Sequence, residues 1–281
     1  WLKEGRWLEQ NHPDGRPARL DTVLVGLDYH MGLVYHLMEE DEYFQIFLRP
    51  DGTEKEGAFW SSKEGSGPEV YTIEEMEAVE EHIQKYFGEI GHVFHELVSP
   101  DIHVDICVVP PDRERNYYTL VTMGMGARQM QVPEELAEYR LERAELAIAL
   151  PLDWRMDEES MKDERWYWPV RLLKVLARLP IRSDTWLGWG HTTDNQRPFA
   201  EDTKLCGAIL AEPQNIRKEG FFCHFPGGEE INFYQVIPLY REELEYKLEH
   251  NAEALLEKLA EADFAVHPDR PCCLTDRMGR G

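Results

Sequence analysis

Residues 144–150, AELAIAL, restrict the fold more than any other stretch of this chain. In an extended backbone Leu146, Ile148 and Leu150 share one face, and Ala147 and Ala149 share the other. A strand apolar on both sides must be covered on both sides, so it belongs inside a sheet with layers above and below. Nearby segments supply such a sheet. Ile102, Val104, Ile106 and Val108 alternate with His103, Asp105 and Cys107, and Pro110 and Pro111 stop the pattern. A polar turn, DRERN, leads to Tyr117–Met123, which reads as the second arm of a hairpin. Phe94–Val98 and Leu205–Ala211 read as further strands, and Phe221–Phe225 pairs with Ile231–Ile237 around Pro226-Gly227-Gly228.

Helices alternate with these strands. Thr72 and Glu75 form a capping box ahead of the stripe Met76, Val79, Ile83 and Phe87, and Gly88 and Gly91 can end the helix. Pro133–Ala137 has room for one helical turn. Pro151–Glu164 is polar and acidic, a surface excursion. Pro169 suits the first position of a second helix, whose buried side is Leu172, Val175, Leu176 and Leu179 and which Pro180 ends. Its basic stripe, Arg171, Lys174 and Arg178, is expected to pair with local carboxylates. A last helix runs from Arg241 to Ala262 with Leu244, Leu248, Leu255 and Leu259 at helical spacing, and the tail from His267 on reads as loosely ordered.

Residues 1–68 differ. Asp21 can cap a helix of about 18 residues carrying Leu24, Leu27, Met31, Val34 and Met38, although Gly26 and Gly32 interrupt it. A turn follows at Pro50-Asp51-Gly52, and KEGSGP (63–68) has the composition of a linker. His30 and His36 read as exposed or packed side chains rather than ligands. The chain begins at Trp1 rather than Met, so the lack of a signal peptide carries no weight.

Charge narrows the partners. With 54 acidic against 30 basic residues, the net charge is -24. That argues against sequence-independent nucleic-acid binding, which needs a basic face, and favours long-range attraction of a basic protein. No apolar run has the length of a membrane span. The five cysteines form no C-x-x-C pair, so neither a zinc site nor a disulfide framework is indicated, and a reducing cytoplasm is expected.

Catalytic patterns are scarce. There is no G-x-S-x-G, no G-x-G-x-x-G, and no Gly-Lys-Ser or Gly-Lys-Thr. His103 and Asp105 share a strand face and could bind a metal with His191 or Asp194 as third ligand. A hydrolase or metal-dependent enzyme using His103, Asp105 and His191 is therefore the alternative to a binding role; no cofactor is indicated. The denser signal is aromatic. Between a helix and a strand, DTWLGWGHTTDNQRPF (184–199) gathers Trp186, Trp189, His191, Asp194 and Asn195 in a glycine-punctuated loop, and Tyr117 and Tyr118 enter a neighbouring strand. Rings, amides and a titratable group on a loop make a recognition surface, so Trp186, Trp189, His191, Asp194, Asn195 and Tyr118 are the candidate partner-binding residues.

Several segments carry a family resemblance: YYTLVTMGMG (117–126), AELAIALP (144–151), LLKVLARLPI with DTWLGWGHT (172–192), GAILAEPQ (207–214) and INFYQVIPLYREELEYKLEHNAEALLEKL (231–259). In order and spacing they resemble the suppressor of fused family, in particular its bacterial single-domain members. The resemblance implies an α/β fold with a mixed central sheet flanked by helices, and no catalysis. With the composition of the ends, the expected organisation is an N-terminal, partly helical extension with linker at 1–68, outside the resemblance, the family domain at 69–265 and a flexible tail at 266–281. Animal members hold a transcription-factor peptide between two domains, and the second of those domains is expected to be missing here. Bacterial members imply an immunity protein that neutralises a toxin, which suits an acidic chain.

Overall fold

A computed structural model of the protein describes residues 68–96, 99, 101–113, 115–225, 227–260 and 265–274, with the backbone of short strands within 10–61. It divides into two units, one of Trp1–Glu69 with Leu97–Asp101, the other of Val70–Glu96 with Ile102–Gly281.

In the first unit, Thr22–Leu24, Val34–Glu39, Glu42–Leu48, Glu54–Lys55 and Phe59–Ser61 pair antiparallel in a five-stranded sheet, and Gln10–Asn11 pairs with Pro17–Ala18. This corrects the helix expected through Leu24, Val34 and Met38. Leu24 and Val34 are paired residues on neighbouring strands. Tyr35, Tyr43, Phe44, Ile46 and Phe47 are ring-bearing or β-branched and favour a pleated backbone, which outweighs a helical spacing that two glycines already interrupt. Residues 25–33, the turn at 50–52 and the stretch 63–67 lie outside the described residues.

The second unit is built on an eight-stranded sheet. Its strands are β1 (His92–Phe94), β2 (Asp105–Val109), β3 (Tyr117–Met123), β4 (Ala144–Pro151), β5 (Thr192–Asp194), β6 (Gly207–Ala211), β7 (Phe222–His224) and β8 (Glu230–Leu239). They lie in the order β5-β6-β8-β4-β3-β2-β1, with β7 beside the first half of β8. Only β4 and β8 run parallel, with Ala144 opposite Asn232, so the sheet is mixed. The double-sided apolarity of β4 has the expected cause: it is central, and all eight of its residues are buried.

Helices cover both faces. On one, Val79 and Ile83 of α1 (Ile73–Tyr86) and its C-cap residue Phe87 pack on Cys107, Val109, Val121, Ala147 and Phe233. On the other, Trp168, Leu172, Leu173 and Leu176 of α2 (Glu164–Ser183) pack on Ile106, Val108, Leu120, Leu146 and Ile148. The pleat puts Ile209 and Leu239 on the α1 side, where Leu244, Leu255 and Leu259 of α3 (Arg241–Glu249) and α4 (Ala252–Leu259) cover them. Among the described residues no helix is long and apolar enough to cross a membrane.

Five local expectations fail. α2 begins at Glu164, capped by Asp163, and contains both Pro169 and Pro180. The Pro180 carbonyl receives the Asp184 and Thr185 amides as the chain turns through a left-handed Asp184 (φ 48). Val175 is exposed and Leu173 takes its place in the core. The excursion at 151–164 buries Trp154 and Met161. The last helix breaks at His250 (φ -118, ψ -104), and Asn251 caps a new one by accepting the Ala254 amide, which leaves Leu248 70% exposed. Finally, the chain from Ala265 to Cys273 is docked: Val266 N–H donates to the Ala149 carbonyl, Arg270 pairs with the fully buried Glu243, and the Cys273 amide donates to that carboxylate.

Candidate functional site

The loop between α2 and β5 is held at its base and open at its middle. Leu187 is buried and its amide donates to the Met130 sulfur. Trp186 is half-buried, its ring 4.2 Å from the His191 ring. Gly188 makes room for the Trp186 indole, which a Cβ there would meet at 2.5 Å and force to shift. Gly190 takes φ 76 and donates to the Leu210 carbonyl, which brings the chain back onto β6. Trp189, between the two glycines, is the exposed tip at 43%. Burial lowers the pKa of His191, opposed by a hydrogen bond to the Trp186 backbone.

Beyond the tip, Asp194 on edge strand β5 makes a two-pronged pair with Arg241, at 2.6 and 2.7 Å, and accepts the Gln196 amide. The guanidinium holds the Asp194 carboxyl below its ordinary range. Asn195 donates its backbone amide to Cys206 and its side chain to the Arg197 carbonyl. The structure thus gathers Trp186, Trp189 and His191 around one loop, with Asp194 and Asn195 at its exit. Tyr118 is not brought to them: it sits on β3, half-buried against the α2-side core, with β6, β8 and β4 between it and β5. The aromatic run in the first turns of α2, Trp166–Trp168, packs on the core: Trp168 is fully buried, stacks on Phe199 at 5.1 Å and meets Trp154 edge-on.

The Trp189 indole stands between two grooves. One, of about 520 Å³, is lined by His191, Lys247, Leu248 and His250. The other, of about 590 Å³, runs along α4 and is lined by Ile237, Leu256, Glu212, Glu253 and Glu257. The break between α3 and α4 borders the first groove, and α4 lines the second. Sequence periodicity joins those two helices, so this half of the site was missed; Asn251 followed by Ala-Glu is the N-cap signal that could have divided them.

The residues of the enzymatic alternative do not converge. His103 Nε2 lies 3.0 Å from Asp105 Oδ1, but the imidazole on the other carboxylate oxygen is that of His95, at 2.9 Å. His191 adjoins β5, separated from β2 by five strand spacings, roughly 24 Å. Among the described residues no group of three His, Cys, Asp or Glu side chains is arranged to hold a metal ion. Close by, the basic stripe of α2 turns inward. Arg178 pairs with Glu96 at 2.5 Å, both buried, and donates to the Ile102 carbonyl, while Arg171 pairs with Glu164.

Another buried carboxylate escaped notice in the sequence. Glu145 of β4, fully buried, accepts from the Tyr71 hydroxyl (2.6 Å), the Thr122 hydroxyl and the amides of Gly124 (2.8 Å) and Gly126 (3.2 Å). Burial pushes its carboxyl up, against the pull of those donors. As the one charged residue in AELAIAL, it was visible as a polar group that a two-sided core strand must satisfy.

A mixed sheet with one parallel pair, covered by α1 on one face and α2 on the other and edged by an aromatic loop, makes an α/β sandwich domain. The suppressor of fused protein (SUFU) family matches residues 100–270, and the chain belongs to that family. A SUFU homologue from Neisseria gonorrhoeae FA 1090 is 18% identical and superposes with a TM-score of 0.50 over 72% of this chain and 97% of its own. The Sufu structure in a Sufu–Fu complex is 14% identical, with a TM-score of 0.51 over 74% of this chain and 93% of that one. No curated protein sequence matches the chain.

Proposed function

We propose that this chain is a non-enzymatic protein-binding domain of the suppressor of fused family, a cytoplasmic immunity protein that neutralises a basic toxin. The observation that carries the reading is the exposure of Trp189 on a glycine-flanked tip between two grooves, in a loop anchored on both sides. Indole rings of this kind dominate binding energy where proteins meet. One family relative is described in complex with a partner, Fu, and this chain's net charge of -24 favours a basic partner. Trp186, His191, Asp194 and Asn195 frame the same face.

Co-expression with the product of the adjacent gene tests the proposal. The wild-type chain should restore growth of cells making that product and bind it in a purified mixture. Trp189→Ala should lose both effects at an unchanged melting temperature, and His191→Ala combined with Asp194→Ala should weaken both. Absence of rescue and of binding by the wild-type chain rejects the toxin-neutralising role.

A further inference from the structure

We propose that the groove between Trp189 and α4 receives a short basic segment of the partner, one apolar side chain against the indole and arginine or lysine side chains against Glu212, Glu253 and Glu257; this rests on the binding role above. The floor of the groove is apolar, made by Trp189, Ile237 and Leu256, and its volume of about 590 Å³ is in the range that encloses side chains or small ligands. Its rim is acidic. Glu212, Glu253 and Glu257 are exposed, and among the described residues no ion pair joins them to a cation. Two nearby cations are committed elsewhere: Arg270, which also lines the groove, pairs with Glu243, and Lys258 lies 5.3 Å over the Tyr246 ring, while Lys247 lines the other groove.

Charge selects the occupant. A second copy of this chain, itself at -24, would bring acid against acid. Nucleic acid and anionic lipid would meet the same repulsion. A segment alternating apolar and basic side chains satisfies floor and rim together, and partial desolvation of the groove strengthens the attraction of a guanidinium for the rim carboxylates.

The test uses the full-length chain, labelled with nitrogen-15, and two tetrapeptide probes, Ac-Leu-Arg-Leu-Arg-NH2 and Ac-Leu-Glu-Leu-Glu-NH2. Binding is followed at the Trp189 indole N–H signal, assigned by its loss in Trp189→Phe. The arginine peptide should shift that signal saturably at low salt. The shift should fade by about 0.5 M salt, where the screening length is roughly 4 Å. Glu212→Gln, Glu253→Gln and Glu257→Gln together should weaken binding by roughly tenfold at an unchanged melting temperature. The glutamate peptide should leave the signal in place. An indole signal indifferent to the arginine peptide, moved equally by both peptides, or saturating equally in the triple variant overturns the proposal. If the probes behave as expected while growth rescue fails, the basic-segment groove stands and toxin neutralisation falls. If the wild-type chain rescues growth while the probes fail, the toxin contact lies elsewhere.

Discussion

Replacing Glu145 by Ala should destabilise the domain more than any surface change, and the size follows from its four donors. The Gly124 and Gly126 amides are fixed by backbone, so neither can turn to another acceptor. Leaving a buried donor unsatisfied costs about 1–3 kcal/mol, so these two contribute about 2–6 kcal/mol. The Tyr71 and Thr122 hydroxyls can rotate and add less. A Gln at the same place keeps one oxygen for the amides and should cost about 1–2 kcal/mol. The comparison depends on pH. Burial raises the folded-state pKa of Glu145, so its stabilising contribution is complete below the ordinary carboxylate range and is lost as pH rises through the raised value. Glu145→Gln does not titrate, so its deficit should be largest in mild acid and shrink towards neutral pH. Urea unfolding followed by far-ultraviolet circular dichroism, repeated across that range, measures both. A Glu145→Ala variant within about 1 kcal/mol of wild type, or a Gln deficit that grows with pH, would refute the reasoning.

Three further outcomes are expected. Arg178→Met strands the buried Glu96 carboxylate and should cost about 3–5 kcal/mol in urea unfolding, whereas a surface role for the α2 stripe would make it nearly neutral. Arg270→Ala should release the segment after Val266, seen as faster amide exchange at Cys273; Glu243 is held below the ordinary glutamate range, so the stability from this pair is present above that range and is lost as pH falls through the depressed value. His103→Gln should remove stability that the wild type has in acid and loses as pH rises through the raised His103 pKa, which the Asp105 hydrogen bond sustains against burial, so wild-type and variant unfolding curves should converge at alkaline pH.

The middle of the sheet was legible because its signal is local. Alternation in 102–109 marked β2, although the strand itself occupies only Asp105–Val109 and is buried throughout; apolarity on both sides in 144–150 follows from the two-residue period of a strand, and the T-x-x-E capping box fixed the start of α1. Strand order beyond the β2–β3 and β7–β8 hairpins was not local. The parallel β4–β8 pair joins residues 144–147 to 232–235, and nothing in either segment names the other. Proline misled at α2 because its rule concerns one hydrogen bond and one contact. A helix of 20 residues that buries Trp168, Leu172, Leu173 and Leu176 recovers more from packing than two prolines remove.

The candidate site was legible on one side only, and the reason is the same. Composition marks the loop: two indoles, two glycines and a histidine in a short run announce an exposed turn that touches something. What the loop faces depends on how α3 and α4 divide, and that division is set by one residue, His250, whose backbone leaves the helical region so that Asn251 can cap the next helix. A continuous helix would carry Leu244, Leu248, Leu255 and Leu259 as one stripe. The break instead leaves Leu248 exposed beside Trp189 and puts Glu253 and Glu257 along the second groove. Replacing His250 and Asn251 together by Ala, the residue most favourable to helix, should therefore act on the site without touching the loop. If the break makes the groove, the variant should gain helical signal and lose the response of the Trp189 indole to the arginine peptide. An unchanged response in a more helical variant would show that the loop alone makes the site.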